Sequence, residues 1–215
     1  MAASSSIVDY YEARASQLEA VYDRPERQAD LLVLRHWLAR EAQGLTLLEV
    51  ACGSGYWTRV AASTAKAILA IDCNPSPLAL ARSKNLGPHV TFARADAFAL
   101  PTVAAQFDGG MAHFWWSHVS LADQQRFLVH FASKLRNRAK LLMIDNNFAA
   151  GSTPISRRDA LGNTYQRRRL AGGEEYEIIK NFPTGEELRH SLEGRCASVT
   201  VLQLEHYWAV SALLT

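Results

Sequence analysis

The stretch Leu47-Leu48-Glu49-Val50-Ala51-Cys52-Gly53-Ser54-Gly55-Tyr56-Trp57-Thr58 constrains this chain more than any other part of it. A short apolar run ends beside an acidic residue, and a glycine-spaced turn then opens into helix-compatible sequence. That order predicts a buried parallel strand, a tight loop and a helix. Gly53 and Gly55 let the backbone bend sharply and admit a ligand close to the main chain. The helix behind them offers unpaired N–H groups and the positive end of its dipole. Glu49, at the strand's end, is placed to accept from an ammonium or a hydroxyl. The arrangement suits a nucleotide-like molecule lying across the strand ends of an open α/β sheet.

The flanking sequence repeats the strand–helix alternation. From Ile7 to about Glu41 the pattern is helical, with Pro25 dividing it into two helices. After the helix that Trp57 begins, Ala67 to Ile71 reads as a second buried strand ending at Asp72. One βα unit beyond the glycines, that carboxylate can accept from both hydroxyls of a ribose. Pro75 starts the next helix, and Val90 to Ala93 forms a third strand before Asp96 and Ala97. Phe107 to Ala112 is a fourth strand. Its end opens into His113-Phe114-Trp115-Trp116-Ser117-His118, followed by a capping signal at Ser120 and Asp123 and a helix from Leu121 to Leu135. Lys140 to Asp145 is a fifth strand, running into Asn146 and Asn147.

Between residues 151 and 181 lies an insertion. Thr164 to Leu170 and Glu175 to Lys180 alternate around Gly172-Gly173, which predicts a β-hairpin able to cover a site as a lid or to meet another subunit. It carries Arg157, Arg158, Arg167, Arg168 and Arg169. Such a run is ordinarily a solvated face, and the competing reading is one or two arginines binding a carboxylate or phosphate. Thr184 caps a helix over Gly185 to Glu193, and the chain closes with two alternating segments, Val199–Leu204 and Tyr207–Leu213.

Glu49-x-Ala51-x-Gly53-x-Gly55 resembles motif I of the class I S-adenosylmethionine (SAM) dependent methyltransferases, although that family more often has glycine at the positions of Ala51 and Trp57. The resemblance runs from about Tyr10 to the C-terminus, and Gly162–Gln166 with Lys180–Pro183 is similar to a bacterial small-molecule subgroup. It implies a single domain over 1–215, with a helical lid over 1–41. It also implies a Rossmann-like, seven-stranded, mostly parallel sheet with a C-terminal antiparallel hairpin and helices on both faces. Cofactor contacts would fall on Tyr11 of the lid, reaching the SAM carboxylate, and on Glu49, Ala51, Gly53, Gly55, Asp72, Cys73, Asp96, Ala97 and His113. Asp96 would accept from the adenine amino group. The ordered triplet Glu49, Asp72, Asp96 on successive strand ends favours SAM over NAD.

Methyl transfer from a sulfonium needs the accepting atom positioned behind the methyl group and deprotonated where required, with S-adenosylhomocysteine (SAH) as product. His118 or His113 is the candidate base. Trp115, Trp116, His118, Asn146, Tyr165 and Arg168 are the candidate substrate contacts, and the two tryptophans offer flat faces to a planar metabolite accepting at N or O. Two other classes stay open. A nicotinamide-dependent oxidoreductase would use the same loop, but Thr58 stands where its third fingerprint glycine belongs. A non-catalytic SAM-binding protein would share every cofactor motif.

Composition narrows the partners. A formal net charge of +2 makes no electrostatic case for nucleic acid, and the position after the fourth strand lacks the Asn/Asp-Pro-Pro-aromatic motif of exocyclic base methyltransferases. Three separated cysteines without a CxxC pair point to a reducing compartment, with neither metal nor dithiol chemistry. Met1 to Ser6 lead into charged sequence rather than an apolar core, so no signal peptide and no membrane span are expected. The expectation is a cytoplasmic monomer or homodimer acting on a small molecule.

Overall fold

The computed structural model describes residues 5–100 and 107–215, so Met1 to Ser4 of the leader expectation lie outside the described residues. The chain opens with α1 (Ser5–Ala13), tightens into 3-10 turns over Ala15–Asp23 and Pro25–Arg27, and resumes as α2 (Gln28–Ala42). Two helices split at Pro25 were expected. The proline does stand at a break, but the first helix ends well before it. From there β1 (Thr46–Val50), α3 (Tyr56–Ala62), β2 (Ala67–Asp72), α4 (Pro75–Ser83) and β3 (Val90–Arg94) alternate. β4 (Phe107–His113), α5 (Gln124–Ala132) and β5 (Leu135–Asn146) continue the pattern. α5 begins later than predicted because Ser120 and Asp123 close a turn on each other first, through Ser120 Oγ–Asp123 Oδ2 at 2.7 Å.

A separate small sheet follows: β6 (Arg157–Arg158), β7 (Thr164–Arg169) and β8 (Glu175–Ile179), all antiparallel. The predicted hairpin is present with a third, two-residue strand added at its edge. α6 (Gly185–Leu192) starts on a full capping box, in which Thr184 and Glu187 exchange hydrogen bonds. β9 (Cys196–Gln203) and β10 (Tyr207–Leu214) finish the chain.

The main sheet has seven strands in the order β3-β2-β1-β4-β5-β10-β9, with β10 antiparallel to its neighbours and the first five strands parallel. One apolar cluster, around Leu34, Leu38, Leu47 and Ile68, packs α2 and α3 on one face, and another, around Phe127, Phe131, Leu141 and Val210, packs α5 on the other. Burial on both faces is why the strands read as near-continuous apolar runs. Strand order reverses at β1, which sits between β2 and β4, so the carboxyl ends of β1 and β4 part and leave a crevice. α1 lies over that edge: it packs on β8 and α4, with Ile7, Tyr10 and Ile178 in a third apolar cluster. No helix among the described residues is long and apolar enough to cross a membrane.

Candidate active site

The glycine loop at the end of β1 is held by its neighbours before any ligand is considered. Cys52 N–H donates to Ile71 O at 2.9 Å, and Gly53 N–H donates to Asp72 Oδ2 at 2.8 Å. Ala51 has φ +52°, the left-handed region that a Cβ disfavours, and this is one of the positions where the resembled family more often has glycine. Gly55 has φ +76°, and a Cβ there would stand 3.0 Å from Ala81 Cβ, so only glycine lets α4 close against the loop. A Cβ on Gly53 would instead meet only Leu18 of the lid, at 3.9 Å, so the loop's outer side is left clear under the lid.

That clear side opens into a cavity of about 420 Å³, walled by the strand ends, the lid and the small sheet. The size is ordinary for a small-molecule site. Glu49, Ala51, Gly53, Asp72, Cys73, Asp96 and Ala97 line its floor, and Tyr11, His113, Trp115, His118, Asn146 and Arg168 line the rest. Three of the predicted site residues do not line it. Gly55 backs the loop against α4. Trp116 turns into the apolar core beside Phe127 and is 1 % exposed, so the loop of three aromatics supplies Phe114 and Trp115 to the wall. Tyr165 points to the outer side of the small sheet, where its hydroxyl donates to Asp159 Oδ2 at 3.1 Å and Arg157 covers its ring.

The floor is a row of acceptors. Glu49 is 1 % exposed, and its Oε2 accepts from Thr58 Oγ1 at 2.6 Å. Burial pushes its carboxyl up to about 8. Asp72 accepts from Gly53 N–H and Asn74 N–H, and Asp96 from Phe98 N–H at 2.8 Å, leaving further lone pairs on each carboxylate. These acceptors and the open glycine edge fit a ligand carrying an ammonium, a ribose and an adenine amine, which is the donor set of SAM. Thr58 also explains why the dinucleotide fingerprint fails. The residue in place of the third glycine is Glu49's partner.

The opposite wall carries the titratable pair. His118 Nδ1 lies 2.7 Å from Ile179 O, and because a carbonyl only accepts, Nδ1 bears the proton. Burial holds the ring near 3, so it is neutral, and Nε2 is therefore the acceptor of the Tyr11 hydroxyl at 2.7 Å. Burial likewise raises the Tyr11 phenol above its ordinary range. His113 is also held near 3 by burial, and neither of its ring nitrogens has a protein partner among the described residues. Behind them, Lys180 Nζ donates to Asp145 Oδ1 at 2.9 Å and to Ser117 Oγ at 2.6 Å, and Ser117 N–H donates to Asp145 Oδ2. Burial opposes the Asp145 charge, but Lys180 outweighs it and keeps the carboxyl below its usual range. Thr58, Arg14, Arg27 and Lys180 are the site residues the sequence reading passed over. Arg14 falls within the resembled lid segment and Lys180 directly follows β8, yet only the fold turns both toward the cavity.

Comparison with known proteins agrees with this geometry. Residues 47–138 match the family model of a methyltransferase domain. A search of curated proteins returns no match. Among solved structures, a complex of DhpI with SAM and HEP superposes with a TM-score of 0.80 at 26% identity, covering 96% of this chain and 95% of that one. A DhpI–SAH complex superposes at 0.79 and 25%, covering 96% and 94%. The [4+2]-cyclase SpnF shares the fold at 0.69 and 16%, covering 100% and 98%. With the sheet order, the acceptor row and these matches in hand, residues 47–138 carry a methyltransferase domain, on the fold of the SAM- and SAH-bound DhpI structures, with S-adenosylmethionine as cofactor and S-adenosylhomocysteine as product.

Proposed function

We propose that the chain methylates an oxygen or nitrogen atom of a small polar metabolite held between the glycine loop and the inserted sheet, with Tyr11 and His118 taking up the acceptor's proton. The observation that carries this reading is the 2.7 Å contact from the Tyr11 hydroxyl to a deprotonated His118 Nε2, on the wall of the cavity that also contains the glycine loop. Glu49, Asp72 and Asp96 would hold the SAM ammonium, ribose and adenine, while Gly53 lets the backbone approach. Bound SAM supplies a methyl group already activated on a sulfonium. What remains for the protein is to orient the acceptor and move its proton. Tyr11, kept as a neutral phenol by burial, takes a proton from the acceptor as it passes its own to His118 Nε2. The Ile179 carbonyl fixes the tautomer this requires. In this role Tyr11 serves the acceptor rather than the cofactor carboxylate.

From the loop after β4 a planar acceptor has Phe114 and Trp115 to lie against, since Trp116 is in the core. The cavity suits a metabolite rather than a nucleic acid, and we take the working form to be a cytoplasmic monomer or homodimer. In DhpI, SAM and a second component, HEP, occupy one complex, a precedent for cofactor and small acceptor bound together. The test is SAH release from SAM with a panel of small hydroxyl- and amine-bearing acceptors. His118→Ala and Tyr11→Phe should each lower kcat by roughly 10²-fold or more while SAH binding holds. Unchanged turnover in both would end the proton-relay reading.

A further inference from the structure

Charge is divided unevenly around the cavity. Its acids, Glu49, Asp72 and Asp96, all stand on the floor at the ends of β1 to β3, whereas Arg14, Arg24, Arg27, Arg168 and Lys180 come from the lid and the inserted sheet. Lys180 is neutralised by Asp145, and Arg24 pairs with Glu26 at 3.8 Å. The other three arginines have no such partner: among the described residues none lies within 4.0 Å of a carboxylate, and their side chains are bonded to neutral groups instead. Arg14 donates to Tyr10 Oη at 2.8 Å and Arg27 to Tyr207 Oη at 3.1 Å. Arg168 donates to Thr153 Oγ1 at 2.7 Å and Gln166 Oε1 at 2.6 Å, which fix the plane of its guanidinium. The Nε atoms of Arg27 and Arg168 are buried with no partner.

Guanidinium groups gathered without counter-charge repel one another, and buried donors left unmade are costly. Burial, with Arg14 and Arg24 among the further contributors, lowers the Arg168 guanidinium below its ordinary value. The cofactor carries one carboxylate, which accounts for one arginine of the three. Arg168 stands on β7, far along the chain from the cofactor motifs of β1 to β3, and shares its wall with His118 and Lys180.

On the reading that this cavity binds SAM and an acceptor together, we infer that the acceptor carries an anionic group, a carboxylate or a phosphate, bound by the Arg168 guanidinium with Arg14 or Arg27. The anion closes the charge balance of the wall, and a planar guanidinium recognises either group through paired hydrogen bonds. It also orients the acceptor from the side opposite the glycine loop.

The experiment titrates SAH-saturated protein with inorganic phosphate and, separately, with glycolate, at constant ionic strength. One or both anions should bind, and the pair separates phosphate from carboxylate recognition. Arg168→Gln should weaken that binding roughly tenfold or more, with Arg168→Lys intermediate. Arg167→Gln, one residue along β7 and exposed, should bind as the wild type does. SAH affinity should be unchanged in every variant. The inference is overturned if neither anion binds SAH-saturated protein, or if Arg168→Gln weakens SAH as much as the anion, which would assign the arginine to the cofactor carboxylate. Failure of the wild type to bind SAH would sink the underlying cofactor site as well.

Discussion

Glu49 is a carboxyl whose ionisation the fold resists and the ligand is expected to favour. Its folded value of about 8 lies above the unfolded 4.5, so the native state keeps a proton that the unfolded chain has lost. Stability from this group therefore falls as pH rises between those values. His113 and His118 act in the opposite sense. Folded values near 3 against 6.5 unfolded mean that stability rises between pH 3 and 6.5. Above pH 6.5 Glu49 acts alone among these three. The ligand-free protein should lose about 2 kcal/mol of unfolding free energy between pH 6.5 and 8, judged at 1.36 kcal/mol per unit. Denaturant melts of wild type and Glu49→Gln should diverge across that window, and parallel curves would contradict the assignment. At Ala51, the positive φ predicts that Ala51→Gly is neutral or stabilising by up to about 1 kcal/mol. A loss of stability there would mean the Cβ is needed for packing.

At the scale of elements, a buried ion pair joins the contacts that tie the inserted sheet to the main fold. Asp145 is 0 % exposed at the end of β5, and Lys180, just past β8, is its cation. Lys180→Met would leave a charge without its counter-ion, at a cost of about 3–5 kcal/mol. Hydrogen exchange should rise over residues 157–180 well before it rises in β1. Equal protection in both would show that the sheet is held by other contacts. The existence of this insertion was legible from two alternating runs around Gly172-Gly173, but its third strand was not, since two residues carry no periodicity. The lid shows the same limit. Apolar spacing marked Ile7 to Glu41 as helical, yet the tightening into 3-10 turns after Ala13 follows from how that segment meets α4 and the glycine loop. Local pattern reports which elements form. The geometry between elements decides where each begins.

For the whole molecule, the alternating order of strands and helices was enough to predict the sheet, because parallel strands buried on both faces leave a clear apolar signature. The cofactor side of the cavity was equally readable: Glu49 and Asp72 stand at the ends of β1 and β2, and Asp96 follows β3 by two residues. The acceptor side was not. Trp116 and Tyr165 look like binding residues in sequence, and one faces the core while the other faces outward. Arg14, Arg27 and Lys180 converge there from distant segments, and no spacing rule links them. The central claim is that this cavity is a SAM site with Asp72 at its ribose position. Calorimetric titration of SAH and of NADH into the wild type and Asp72→Asn tests it most directly. SAH should bind one equivalent per chain, about tenfold more weakly in the variant, with no heat from NADH. Binding of NADH in place of SAH, or SAH affinity indifferent to Asp72→Asn, would contradict it.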